Sequence, residues 1–142
     1  MFLAIAIAVL QAASPPPAAS DAALRRAVAD YVGLYTHETL DRWRKLFLPT
    51  FTATHTNTDG TVKVRTLDEF FASQQRYLAS GKKIKEELDN VGIDRRGKLA
   101  SVWADFVLTE EAEKSRGKLV LLLVADRGEW RIQSLMFSYD GE

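Results

Sequence analysis

Apolar positions keep two different periods, one early in the chain and another late. Leu24, Val28, Tyr31, Val32 and Tyr35 recur at three- and four-residue spacing. That pattern predicts an amphipathic helix to about residue 36, with Ser20 or Asp21 as its N-cap. A short second helix is expected over 39–48, with Leu40, Trp43, Leu46 and Phe47 on one face and Pro49 as its stop. The period then drops to two. Phe51, Ala53 and His55 alternate with threonines, 57–60 (Asn-Thr-Asp-Gly) form a turn, and 61–65 form the return strand. Thr66-Leu67-Asp68-Glu69 has the form of a capping box. It opens a third helix carrying Phe70, Phe71, Tyr77 and Leu78 and closed by Gly81. Strands follow over 83–94, 99–108, 118–125 and 129–139, with an irregularity expected near Asn90 and a long loop over 109–116. Helices gathered early and antiparallel strands gathered late make an α+β domain.

Strand parity assigns faces. Ala100, Val102, Ala104, Phe106 and Leu108 are wholly apolar and are expected to point inward, leaving Trp103 and Asp105 outside. On the last strand the same parity puts Trp130, Ile132, Ser134 and Met136 inward, and Arg131, Gln133, Leu135, Phe137 and Tyr139 outward. The 118–125 strand is apolar on both faces, Leu119, Leu121 and Leu123 against Val120, Leu122 and Val124. A strand of that kind needs a cover on its outer side. The expected cover is a second copy, giving a homodimer through the convex sheet face with Leu135 and Phe137 in the contact.

The order helix, short helix, hairpin, helix, bent sheet resembles the nuclear transport factor 2-like superfamily. The segment Gly97 to Phe106 (GKLASVWADF) is similar to a strand that relatives write as small residue, aliphatic, Trp, Ala, any, aromatic. Gly117 falls where relatives place a glycine in the next strand, and Gly128-Glu129-Trp130-Arg131-Ile132 resembles their closing strand. The likeness covers about residues 22–139 and points to the polyketide-cyclase-like or lumazine-binding-like branches. It implies a cone-shaped fold, three N-terminal helices covering a strongly bent antiparallel sheet around a cavity. These motifs determine fold and carry no chemistry. Ser115-Arg116 stands where some relatives carry a His before the glycine, and no position matches the tyrosine-plus-aspartate site of the ketosteroid isomerase branch.

Composition narrows the partners. Of 142 residues, 46% are hydrophobic, enough for a packed core. Nineteen basic side chains balance nineteen acidic ones, so nothing favours nucleic acid or an anionic membrane surface. With no cysteine and two histidines, thiol chemistry is excluded and neither a metal site nor another cofactor is expected. Residues 1–10 (MFLAIAIAVL) are an unbroken apolar run followed by a small-residue and proline stretch. A bilayer-crossing helix needs ~20 residues, so the run reads as a signal-peptide core, although no basic residue precedes it. The expected organisation is a signal peptide over 1–20 and one domain over 21–142, in a periplasmic or secreted protein without stable membrane insertion after processing.

Two polar residues stand on inferred inner faces. His55 follows Phe51 and Ala53, and Glu86 lies between Ile84 and Leu88. A His and a carboxyl facing one cavity can hold a polar ligand or exchange protons with it. The structural alternative is Glu86 paired with a nearby Lys or Arg and His55 at a strand end in water. Tyr31, Tyr35, Trp43 and Phe70 are core stripes that can also line a pocket, joined by Ser134 and Met136 from the last strand. Three functions stay open: a binder of a small hydrophobic or amphipathic molecule, a cofactor-free acid–base enzyme (isomerase, dehydratase or cyclase) using His55 and Glu86, and a protein-interaction module. An open cavity favours the first two and a packed interior the third. For the leader, N-terminal sequencing of the native protein is expected to find a start between Ala13 and Asp21. An intact Met1 in a cytoplasmic fraction would refute the signal peptide.

Overall fold

The computed structural model describes residues 19–141, so the apolar segment 1–10 and most of the expected leader lie outside the described residues. The elements run α1 (Asp21–Gly33), α2 (Leu40–Arg44), β1 (Phe47–Thr56), β2 (Val62–Thr66), α3 (Leu67–Leu78), β3 (Ile84–Arg96), β4 (Leu99–Glu110), β5 (Glu113–Asp126) and β6 (Glu129–Tyr139). The strands form one sheet in the order β2-β1-β6-β5-β4-β3. Neighbours are antiparallel except β1 and β6, which run parallel. The sheet is curled and unclosed, with all three helices ahead of its four long strands β3 to β6, as the α+β reading expected. No helix among the described residues is long and apolar enough to cross a membrane.

Local chemistry fixes the ends of the helices. The Ser20 hydroxyl accepts from the Ala23 N–H at 3.1 Å, capping α1. The Ser20 carbonyl in turn accepts from the Trp130 indole N–H at 3.0 Å, which ties the start of α1 to β6. Thr66 and Glu69 form the capping box of α3, each side chain bonded to the other's backbone N–H. Trp43 is almost wholly buried and donates to the Tyr31 carbonyl at 2.8 Å, with Tyr35, Phe47 and Phe70 ringed around it at 4.6–5.8 Å between centroids. Four elements meet at this one indole, so it holds the helical layer on the sheet.

α2 ends at Arg44, four residues short of the expected helix. The Leu46 carbonyl accepts from the Ile132 N–H at 2.8 Å, and Phe47 pairs with Ile132 in the ladder. Sheet pairing outcompetes the last helical turn that the apolar spacing suggested. Pro49 lies inside β1, where pairing with β6 is interrupted between Phe47 and Thr52, as its missing N–H requires. Gln133 repairs the gap. Its side-chain amide donates to the Thr50 carbonyl at 3.0 Å and accepts from the Thr50 hydroxyl at 3.0 Å.

Gln133 is also an extra residue in β6. Leu123 pairs with Ile132, whereas Leu122 pairs with Ser134. This bulge reverses parity beyond it. Leu135 is therefore buried and Phe137 and Tyr139 face inward, while Met136 is 47% exposed on the convex side and Ser134 shares that side. The expected inward placement of Ser134 and Met136, and the outward placement of Leu135, Phe137 and Tyr139, are corrected accordingly. Before the bulge the parity holds, with Trp130 and Ile132 buried.

Two further irregularities shape the sheet. The expected break in β3 is present: Asn90 has φ 51°, the register shifts between Asp89 and Gly92, and the Asn90 amide donates to Asp105 at 2.7 Å. The expected 109–116 loop is instead strand, because β4 and β5 stay paired as far as Glu110 and Glu113. Gly117 sits where β6 passes close by. A Cβ there would lie 2.2 Å from the Ser138 carbonyl and 2.4 Å from the Phe106 ring. No larger residue fits without moving backbone.

Candidate functional site

The concave side of the sheet and the helices over it enclose a cavity of about 350 Å³. Its walls come from every layer. Tyr31 on α1, Tyr35 just after it and Trp43 on α2 form one side, and α3 supplies Phe70, Gln74 and Tyr77. These last three stand at i, i+4 and i+7 of one helix, so one face of α3 looks into the cavity. The sheet adds Glu86 from β3, Phe106 and Glu110 from β4, Ser115 from β5, and Phe137 and Tyr139 from β6.

Glu86 stands where sequence parity put it. It is half-buried, and the surface it keeps is cavity wall. Among the described residues its carboxyl has no hydrogen-bond or ion-pair partner, so the pairing with Lys or Arg that was the structural alternative is not made. On its own strand the flanking Lys85 and Glu87 point outward and pair with each other at 2.8 Å. Desolvation alone pushes the Glu86 carboxyl up from the ordinary 4.5 to about 7. The phenols facing it respond as well. Burial, then the Glu86 charge, raises Tyr31 and Tyr35 well above the usual phenol range. Both therefore remain neutral hydroxyls at physiological pH. The Tyr35 hydroxyl donates to the Gln74 side-chain carbonyl.

A second carboxyl stands at the rim and is fully engaged. Glu110 pairs with Lys82 and accepts from the Tyr77 hydroxyl at 2.7 Å. The Lys82 hydrogen bond, then the Tyr77 one, holds Glu110 below the usual carboxylate range. Burial, then the bond to Glu110, raises Tyr77.

His55 does not line the cavity. Its ring stacks on Phe137 at 4.9 Å and 7° and meets Tyr139 edge-on, so it lies behind one wall. The His55–Glu86 pair expected from parity is therefore not assembled on one surface. Of the other expected site residues, Tyr31, Tyr35, Trp43 and Phe70 line the cavity, while Ser134 and Met136 lie on the opposite face of the sheet. Sequence reasoning missed Gln74 and Tyr77, although their helical spacing from Phe70 was available. It also missed Glu110 and Ser115, placed by the unforeseen strand extension, and Phe137 and Tyr139, placed by the bulge.

A curled sheet roofed by early helices, with one aromatic cavity between them, defines a protein of the nuclear transport factor 2-like superfamily. Within it the chain belongs to the SnoaL-like domain family, whose profile matches residues 24–140. No curated protein matches it in sequence. Solved structures share the fold at low identity. A protein of the same fold class from Shewanella baltica is 15% identical, with a TM-score of 0.65 over 85% of this chain and 94% of that one. A Streptomyces avermitilis protein provisionally named a dehydratase is 12% identical, with a TM-score of 0.69 over 83% and 94%. A Novosphingobium aromaticivorans protein provisionally named scytalone dehydratase is 13% identical, with a TM-score of 0.68 over 83% and 82%.

The raised Glu86 carboxyl makes stability depend on pH. The unfolded chain ionises this group near 4.5 and the folded chain near 7, so the folded state holds the extra proton between those values. Its contribution is fully present below about 4.5 and is lost as pH rises through 7. Glu86→Gln is expected to remove that slope. Relative to wild type, the variant gains on the order of 3 kcal/mol at pH 8 and nothing below 4.5. Urea unfolding across this range measures it, and parallel slopes in the two proteins would show that Glu86 titrates normally.

Proposed function

We propose that this protein binds a small amphipathic molecule in the cavity between helices and sheet, with Glu86 as the polar group that orients it. The observation that carries the reading is a cavity of about 350 Å³ with largely aromatic walls and one carboxyl that has no partner among the described residues. Ligand sites are typically concave, mainly apolar and supplied with a few placed polar groups, in volumes from roughly 300 Å³ upward. An open interior also supports binding over a role as a purely protein-interacting module.

A second reading, acid–base catalysis, is favoured by the position of the Glu86 pKa near neutrality. A general base works best when its pKa lies near the working pH. In a dehydration the carboxylate would take a proton from the carbon beside a carbonyl. The electron pair left on that carbon forms a double bond to the next carbon, whose carbon–oxygen bond breaks, and the proton passes from Glu86 to the departing hydroxide as water leaves. The names given to the two dehydratase-like neighbours suit this chemistry. His55 has no place in it.

Ligand-observed NMR with benzyl alcohol, benzylamine and phenylacetate tests occupancy of the cavity. At least one probe is expected to bind the wild type. Ser115 lines the cavity yet is exposed, so Ser115→Phe should block entry without disturbing the core and lower binding at least tenfold. Three silent probes, or equal binding by Ser115→Phe, would refute the site.

We further propose a homodimer through the convex face. Cross-strand register aligns Trp103, Val120, Met136, Thr54 and Val64 in one row across the sheet. Trp103, Met136 and Val64 are 62%, 47% and 58% exposed. A contiguous apolar row of this kind is unusual on a monomer. Phe137 faces the cavity and has no part in it. Light scattering at micromolar concentration should give a dimer for wild type and a monomer for Met136→Glu. A monomeric wild type, or a Met136→Glu variant that stays dimeric, would overturn the assignment.

A further inference from the structure

The charges around the cavity are of one sign. Glu86 and Glu110 line it, and no Lys, Arg or His does so among the described residues. Glu110 is already matched by Lys82 at the rim. Glu86 has no partner among the described residues, and the titratable groups that line the cavity with it come from several surrounding elements. Tyr31 comes from α1 and Tyr35 from the turn after it. Tyr77 comes from α3, Glu110 from β4 and Tyr139 from β6. All are hydroxyls or a second carboxyl, so none of the described residues lining the cavity offers Glu86 a compensating cation.

Much of the remaining wall is aromatic. The rings of Tyr31, Tyr35, Trp43, Phe106, Phe137 and Tyr139 all border the cavity. Ring faces carry partial negative charge and attract a cation within about 6 Å of the centroid. Such a contact gains strength when the cation is desolvated, as it would be inside this cavity. A buried carboxylate likewise gains most from a partner that neutralises it. An anionic ligand would meet repulsion from both sources, and a neutral one would leave Glu86 as it is.

Building on the small-molecule reading above, we propose that the cavity selects a small organic monocation, an ammonium group on an aryl or alkyl body, with the charge on Glu86 and the body among the rings. Binding is then linked to protons. Below about pH 7 the free protein holds Glu86 protonated, and the incoming cation must displace that proton. Above it, the carboxylate is ready-made. Affinity for a permanently charged cation therefore rises with pH to a plateau above 7, and below 7 binding releases a proton.

Isothermal titration calorimetry of the full chain with three probes of similar size tests this. They are benzyltrimethylammonium, its uncharged carbon isostere neopentylbenzene, and phenylmethanesulfonate. The expected result is cation binding at least tenfold tighter at pH 8 than at pH 5.5, and at least tenfold tighter than the neutral isostere at pH 8. The sulfonate should not bind measurably. Glu86→Gln should bind cation and isostere alike at both pH values. Titrations in buffers of different ionisation enthalpy should show proton release by wild type at pH 5.5 only. If the neutral isostere binds and the cation has no advantage, the charge preference is wrong while the cavity remains a ligand site. If none of the three binds, the small-molecule reading falls with it. A cation preference that persists in Glu86→Gln would place the selectivity elsewhere and overturn the role given to this residue. Should Glu86→Gln fail to fold, the pH dependence and proton release of the wild type decide by themselves.

Discussion

One inserted residue in the last strand governs what faces the cavity. At Gln133 the β6 ladder slips by one position, and every side chain after it changes sides. Without the slip, Leu135, Phe137 and Tyr139 would stand on the convex surface and Ser134 and Met136 would face the helices. With it, the inner face gains two aromatic rings and a buried leucine. The bulge sits where β1 carries Pro49 and cannot pair fully with β6. The Gln133 side chain satisfies the Thr50 backbone across that gap. A local hydrogen-bond problem in β1 and the composition of the cavity are therefore met by the same residue.

The cavity that results is held open by large side chains rather than by missing ones. Trp43 packs on Phe47 and Phe70 and anchors to the Tyr31 carbonyl, so the helical side cannot settle further onto the sheet. Gly117 lets Phe106 and the Ser138 backbone close over the opposite wall. Into this rigid frame β3 places one carboxyl that has no partner among the described residues. An uncompensated ionisable group costs stability, and groups of this kind cluster at functional sites. The contrast with Glu110 is direct. The same residue type at the rim, with Lys82 and Tyr77 bonded to it, is held low in pKa and is already neutralised by the protein.

The opposite face of the sheet follows from the same parity. Once the bulge turns Met136 outward, it joins Trp103 and Val64 in an exposed row that ordinary surface residues do not explain. Cavity and convex patch are two sides of one set of strands. A change of register would exchange them, which is why register is tightly specified here.

Elements whose signals are local were legible before folding was considered. The capping box at Thr66, the Ser20 cap, the helical stripe from Leu24 to Val32 and the alternation of β4 depend on neighbours within a few residues, and each appears in the structure, although α1 ends at Gly33, before Tyr35. The break at Asn90 was legible for the same reason, since apolar parity changed within one strand. Glu86 was legible as a polar residue on an apolar face. The rest depends on partners distant in sequence. Ile132 ended α2 early by pairing with Leu46 and Phe47. The β4–β5 pairing turned an expected loop into strand and so brought Glu110 and Ser115 to the cavity. The bulge at Gln133 moved Ser134 and Met136 out and Phe137 in, and with Phe137 turned inward His55 came to stack behind it. Periodicity records which face a residue shares with its own neighbours. It carries no information about an inserted residue whose cause is a proline on another strand, so the final composition of the cavity had to wait for the fold.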